Sequence, residues 1–251
     1  MIVFYALIGL VAGAVINQLA DTLPHRHTKL SGAVCPACGR PQPLSQSIAV
    51  VAVIARRREC ASCGRPIAVR NFVVELTMAG LFAFLFTRYA DVLVLALASF
   101  HSSVLLLVTI TDLEHRLIPN RAILPAIGLA ALTSPLWFGP GWYLAFVGGA
   151  IGFAFFWLAA IVGGRLIGRG AMGGGDVKLA AYVGLITGFP GIITALIVTI
   201  LAGGLISLAL LLIHVVNLRS GIPYGPFIVV GGFISMVWGP QIMARFFFGA
   251  G

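Results

Sequence analysis

Apolar stretches of bilayer length recur along nearly the whole chain and leave little else to fold with. Residues 2–23, 92–111, 142–167, 192–216 and 227–248 are each long enough to span the hydrocarbon as a helix. Residues 72–86 and 122–138 come close to that length. Residues 177–189 form a shorter apolar stretch, either a tilted span in thin bilayer or a re-entrant helix. Hydrophobic residues make up 60% of the chain and charged residues 9%, too apolar for an ordinary soluble domain. The expected fold is an all-α polytopic membrane protein of about eight transmembrane helices. The start, Met1-Ile2-Val3-Phe4-Tyr5, has no basic n-region, and no small-residue cleavage pattern follows. The first apolar stretch is therefore expected to be a retained helix and not a removed signal.

One long stretch escapes this pattern. The chain is expected to divide into a first transmembrane helix over 1–23, a soluble loop over 24–70 and a membrane core over 71–251. The loop holds all four cysteines, as Cys35-Pro-Ala-Cys38 and Cys60-Ala-Ser-Cys63, with 21 residues between the pairs. Each pair can place two thiolates on one metal ion, and the two pairs complete a tetrahedron. Two disulfides are the rival and need an oxidising compartment. The loop also carries Arg26, Lys29, Arg40, Arg56, Arg57, Arg58, Arg65 and Arg70. Positive loops stay on the cytoplasmic side. With this loop inside and the spans alternating, all of the sixteen Lys and Arg residues except Arg88 and Arg245 fall inside. The uncharged turns at 139–141 and 190–191 fall outside. The cysteines then face a reducing space, which favours zinc over disulfides. The same layout accounts for the net charge of +9 without a nucleic-acid partner. Residues 44–54 are apolar but too short to span, so they lie on the membrane surface or pack against the cysteine knuckles.

Polar residues at membrane depth carry the functional signal. Gly13, Asn17 and Asp21 recur at i, i+4, i+8 and form one stripe on the first helix, a helix–helix seam or a site. Glu75 lies in the first turns of its helix, as a snorkelling interfacial acid or a site residue. His101, mid-span beside Ser102 and Ser103, reads as a packing histidine. Two acids mark membrane boundaries: Asp112 in Thr111-Asp112-Leu113-Glu114-His115, and Asp176 at the end of Gly173-Gly174-Gly175. The glycines allow close backbone approach and dihedrals that other residues avoid. The topology puts both acids on one side of the membrane. If they meet, both cannot ionise, so they share a proton. One can then take a proton from water while the other donates to a scissile carbonyl. The expectation is that Asp112 and Asp176 meet and cut a peptide bond. Two rivals are a transporter relaying protons through Asp112, Asp176 and His115, and a zinc-loop scaffold with no chemistry.

A family resemblance favours the first reading. Gly173-Gly174-Gly175-Asp176-Val177-Lys178-Leu179 resembles the second aspartate motif of bacterial type IV prepilin peptidases, which are intramembrane aspartyl proteases of the GxGD type. Asp112-Leu113-Glu114-His115-Arg116-Leu117-Ile118-Pro119-Asn120 is similar to their first aspartate motif. The cysteine pairs match their knuckle loop, and Asn71-Phe72-Val73-Val74-Glu75 resembles the opening of their second helix. Ile222-Pro223-Tyr224-Gly225-Pro226-Phe227 resembles their closing Pro-x-Gly-Pro element. Gly13-Ala14-Val15-Ile16-Asn17 is similar to their first-helix motif, but Thr22 stands where an arginine is usual. The resemblance implies a multi-pass protein of the bacterial inner membrane with its active site facing the cytoplasm. It implies an aspartic endopeptidase that removes leaders from prepilin or pseudopilin precursors, with Asp112 and Asp176 catalytic. Gly173, Gly174, Gly175, Lys178, Glu75 and Asn17 are then expected to bind substrate or support the site. Cys35, Cys38, Cys60 and Cys63 are expected to hold a structural zinc. The resemblance further implies N-methylation of the new N-terminus with S-adenosylmethionine.

Overall fold

The computed structural model describes residues 1–24, 35, 38–40, 48–56, 59–60, 62–166, 173–213 and 223–247. The readings that fall on Arg26, Lys29, residues 44–47, Arg57, Arg58, Arg169, Arg219 and Ile222 lie outside the described residues. Regular structure among the described residues is helical apart from an isolated bridge between Glu59 and Pro66. The helices are α1 (Ile2–Thr22), α2 (Ala49–Ile54), α3 (Val69–Arg88), α4 (Val92–His115), α5 (Asn120–Phe138), α6 (Tyr143–Leu166), α7 (Gly174–Leu212) and α8 (Gly225–Phe247). Seven of these, all but α2, are long and apolar enough to cross a membrane. That is the polytopic all-α architecture expected from the apolar pattern.

The 39-residue α7 is two helices joined at a break. Gly188 has φ 60° and ψ −179°, a conformation open to glycine, and Phe189 is extended. A Cβ at Gly188 would also stand 2.7 Å from the Phe138 ring. The first arm, Gly174–Thr187, rises only about 21 Å, less than the roughly 30 Å of hydrocarbon. This arm is the short stretch seen at 177–189. The second arm runs back toward the start of the first. Ser235 donates to the Gly191 carbonyl at 2.7 Å, and Tyr224 lies against Gly203, so the second arm is antiparallel to α8. Val183 of the first arm touches Gly232, and the Asp176 charge reaches Tyr224, so the first arm runs parallel to α8.

The chain forms two compact units, Met1–Leu107 and Val108–Gly251. In the first, α1 and α3 pack antiparallel along the stripe seen in the sequence. Gly9 meets Met78 and Phe82, Gly13 meets the backbone of Glu75, and Asn17 donates to the Asn71 carbonyl at 3.0 Å. Asp21 closes the seam with an ion pair to Arg70 at 2.8 Å. Small residues let the backbones approach, and one amide bridges them, as membrane helix pairs require. Tyr5 stacks on Phe82 and shares a 2.7 Å hydrogen bond with Ser99 of α4. In the second unit, α6 and the first arm of α7 touch backbone to backbone at Gly148, Gly152, Ala180 and Gly184. Any side chain at Gly148 or Gly184 would enter the neighbouring main chain.

Candidate active site

Asp112 ends the apolar part of α4, and its residue is only 6% exposed. A carboxylate at that depth needs a donor. The donor is the backbone N–H of Gly225, which reaches Asp112 Oδ2 at 3.0 Å. Gly225 is the first residue of α8, where amides have no partner within the helix and the helix dipole favours negative charge. A Cβ at Gly225 would lie 2.5 Å from Asp112 Oδ2 and 3.0 Å from Cγ. Only glycine lets the amide come this close.

Asp176 is the third residue of α7, and Gly173 caps that helix in extended conformation. The Asp176 N–H donates to the Gly173 carbonyl at 3.1 Å. Its side chain is half-buried and lies within reach of the Asp112 charge. The structure therefore places the two acids within electrostatic reach of each other, although they are 64 residues apart in sequence. Tyr224 completes the surroundings. Its ring packs against Phe227 at 5.6 Å and Phe156 at 6.0 Å, and Gly203 leaves room for its hydroxyl. Burial and then the Asp176 charge push the Tyr224 phenol above its ordinary range. Tyr224 and Gly225 were within the closing motif seen in the sequence, but nothing in that motif showed which acid they would face.

The connector after α4 is fixed to the start of α7. Arg116 turns the chain with φ 51°, and its N–H donates to the Asp112 carbonyl at 2.9 Å. Ile118 then packs on Gly175, where a Cβ would be 3.0 Å from Ile118 Cβ. Lys178 donates to Asn120 Oδ1 at 2.8 Å. Of the two uses of glycine expected for this run, close approach and unusual dihedrals, the structure shows the first. None has positive φ, Gly174 and Gly175 are helical, and a Cβ at Gly174 would meet open space. Gly175 alone among them is needed for close approach.

Asn17 and Glu75 belong to the first unit. Glu75 does not snorkel. It is 0% exposed, and its two oxygens accept the N–H groups of Ala49 at 2.7 Å and Val50 at 2.8 Å. His101 is buried with Phe100 edge-on at 5.5 Å, as a packing histidine should be.

The four cysteines converge. Their sulfurs all lie within 4.8 Å of one another, with Cys35–Cys63 at 3.8 Å and Cys38–Cys60 at 3.9 Å. None of the four is in a disulfide. A tetrahedron with Zn–S bonds of about 2.3 Å has edges of about 3.8 Å, so the spacing fits zinc. The two knuckles are built alike. Each is Cys-x-x-Cys-Gly-Arg-Pro, with the glycine at φ 67° or 70°. Gly39 and Gly64 donate to the carbonyls of Cys35 and Cys60, whose own amides donate to Arg40 and Arg65. Backbone donors from Ser62 and Cys63 lower the Cys60 thiol to about 6. At Cys63 the Arg65 backbone donor is outweighed by burial and the neighbouring thiols, which push it up to about 11, so the cluster favours one thiolate before a cation draws out the others.

Known proteins resemble this chain over most of its length. Residues 99–208 match the type IV leader peptidase family, and residues 7–89 match the bacterial peptidase A24 N-terminal domain. A prepilin leader peptidase/N-methyltransferase of Bacillus subtilis is 32% identical over 240 residues, covering 94% of each chain. Proteins of that name from Pseudomonas putida and Pseudomonas aeruginosa are 28% and 25% identical, covering 86% and 94% of this chain and 75% and 90% of theirs. No solved structure matches. Two matched segments in order, and a relative this similar from end to end, place the chain in the type IV leader peptidase family.

Proposed function

We propose that this membrane peptidase removes leaders from prepilin or pseudopilin precursors, using Asp112 and Asp176 as a proton-sharing pair. The observation that carries the reading is the approach of these two acids, with the Gly225 amide on one of them. When substrate and water draw two such carboxylates together they share one proton. The ionised one takes a proton from water, whose oxygen attacks the scissile carbonyl carbon. The protonated one gives its proton to the carbonyl oxygen. The tetrahedral diol then collapses, the C–N bond breaks, and a proton passes to the leaving amine. No covalent enzyme intermediate is needed. Gly175 and Lys178 hold the connector against α7 and so fix the spacing of the pair; Gly173, next to the Asp176 carboxylate, leaves room for substrate backbone.

A zinc ion on Cys35, Cys38, Cys60 and Cys63 orders the loop and takes no part in the hydrolysis. The charge layout supports placing the loop and both acids on the cytoplasmic side of the inner membrane. The names of the relatives add N-methylation of the new terminus, for which S-adenosylmethionine is the proposed donor. Family membership gives the transporter reading no support. Incubation of the detergent-solubilised protein with a prepilin and S-adenosylmethionine tests the proposal. The expected product has lost its leader and gained one methyl. An uncut precursor, with active homologue as control, would overturn the peptidase assignment.

A further inference from the structure

Helix α2 belongs to the cysteine loop, yet it is fastened to a membrane span. Its sequence, Ala49-Val50-Val51-Ala52-Val53-Ile54, has no polar side chain. Ala49 and Ala52 are buried, three residues apart, and form the inward face. Its first two amides lack partners within the helix, and both donate to the Glu75 carboxylate. The outward face carries Val51 at 39% exposure and Ile54 at 78%.

The depth of Glu75 decides what that outward face meets. The Asp21–Arg70 ion pair, partly exposed on both sides, marks the level at which α1 and α3 still carry charge. Glu75 is five residues further into α3, about 7.5 Å deeper at 1.5 Å per residue. A helix held at that depth lies in the interfacial layer, where amphipathic segments bury their apolar side chains about 5–10 Å. In water, Ile54 would stand almost fully hydrated on a helix with no polar residue to compensate. Arg56 follows after Ala55, exposed and turned by φ 54°, with a stem long enough to reach the phosphate level.

We propose that α2 is an interfacial lipid-binding helix, and that Glu75 is the positioning residue that holds it, and hence the cysteine loop, at the membrane surface. This explains the long spacer between the two cysteine pairs: it carries a membrane anchor. It is independent of the peptidase assignment.

The test uses the full-length protein in nanodiscs of phosphatidylethanolamine and phosphatidylglycerol. Photoreactive p-benzoylphenylalanine is placed at Ile54, or at the exposed Ser62 of the second knuckle as control. After irradiation, intact mass at position 54 should show addition of one phospholipid, and position 62 should show none. In Glu75→Ala the lipid adduct at 54 should fall at least tenfold, since one charge-assisted hydrogen bond alone corresponds to about that factor and two are lost, while one zinc per chain remains. Should Glu75→Ala fail to fold, Glu75→Gln keeps an acceptor for one amide only and should give a smaller fall. No lipid adduct at 54, equal adducts at 54 and 62, or crosslinking to a second protein chain would each overturn the lipid assignment. Unchanged yield in the Glu75 variants would remove Glu75 as the anchor.

Discussion

The Gly225 amide donates to Asp112 Oδ2 at 3.0 Å, and a Cβ at position 225 would stand 2.5 Å from the same oxygen. One backbone position therefore supplies a hydrogen bond and forbids a side chain. Gly225→Ala should force the carboxylate away or lengthen that bond. A misplacement near 1 Å can cost about a hundredfold in rate. Prepilin cleavage by Gly225→Ala should fall by about that factor at matched expression, with zinc content unchanged. Wild-type cleavage would mean that the Asp112 position tolerates the shift and that this contact does not set the geometry.

The glycine run before Asp176 makes a sharper prediction, because its members have different surroundings. Gly174 is the first residue of α7 and a Cβ there meets open space, so Gly174→Ala should be tolerated, with cleavage near that of the wild type. Gly175 faces Ile118, so Gly175→Ala should impair cleavage. Shortening the opposing side chain tests the cause: Ile118→Ala removes two of the three nearest atoms, Cγ1 and Cδ1, and lets the connector give way, so it should partly restore a Gly175→Ala protein. Equal damage at 174 and 175, with no rescue, would place the requirement on substrate contact and not on the packing of Ile118.

The cysteine cluster predicts one zinc per chain by metal analysis of protein purified without chelator. Cys60→Ser removes one of four ligands and should lose the metal. The loop should then become sensitive to protease, because zinc binding and loop folding are coupled. Cleavage of prepilin should weaken but persist, because the sulfurs hold the loop and the acids belong to the other compact unit. Metal-free protein containing disulfides would defeat the zinc assignment.

Much of this molecule was legible in its residues, and the reasons are physical. Apolar runs of bilayer length have few folds open to them, so the spans followed from length alone. The break at Gly188–Phe189 was visible as a short run followed by Pro190-Gly191. The α1 stripe was visible because helical periodicity is fixed, though its partners Asn71, Arg70 and Glu75 were not. Contacts such as Glu75 to Ala49 join residues 26 apart through a loop, and no local pattern reports them. The same holds for Gly225 and Asp112, 113 residues apart. The glycine run was legible as important, but not which glycine was crowded, since that depends on where Ile118 lands.

The two acids carry the last prediction. If Asp112 and Asp176 act as a pair, one serving as base and the other as acid, then removing either leaves a carboxylate that cannot do both. Asp112→Asn and Asp176→Asn should each abolish cleavage, and the double variant should be no worse, because groups acting as a unit are not additive. Asparagine keeps the size, and its carbonyl can still accept the Gly225 amide, so the fold and zinc content should survive. Glu114→Gln is the control. Glu114 is exposed and pairs with its neighbour His115 at 3.9 Å, turned about 200° around α4 from Asp112. It should keep most of its activity. Full cleavage by either Asp→Asn protein would end the paired mechanism. A Glu114→Gln protein as inactive as Asp112→Asn would show that the connector's working acid is Glu114, and that the buried carboxylate under Gly225 only holds α4 to α8.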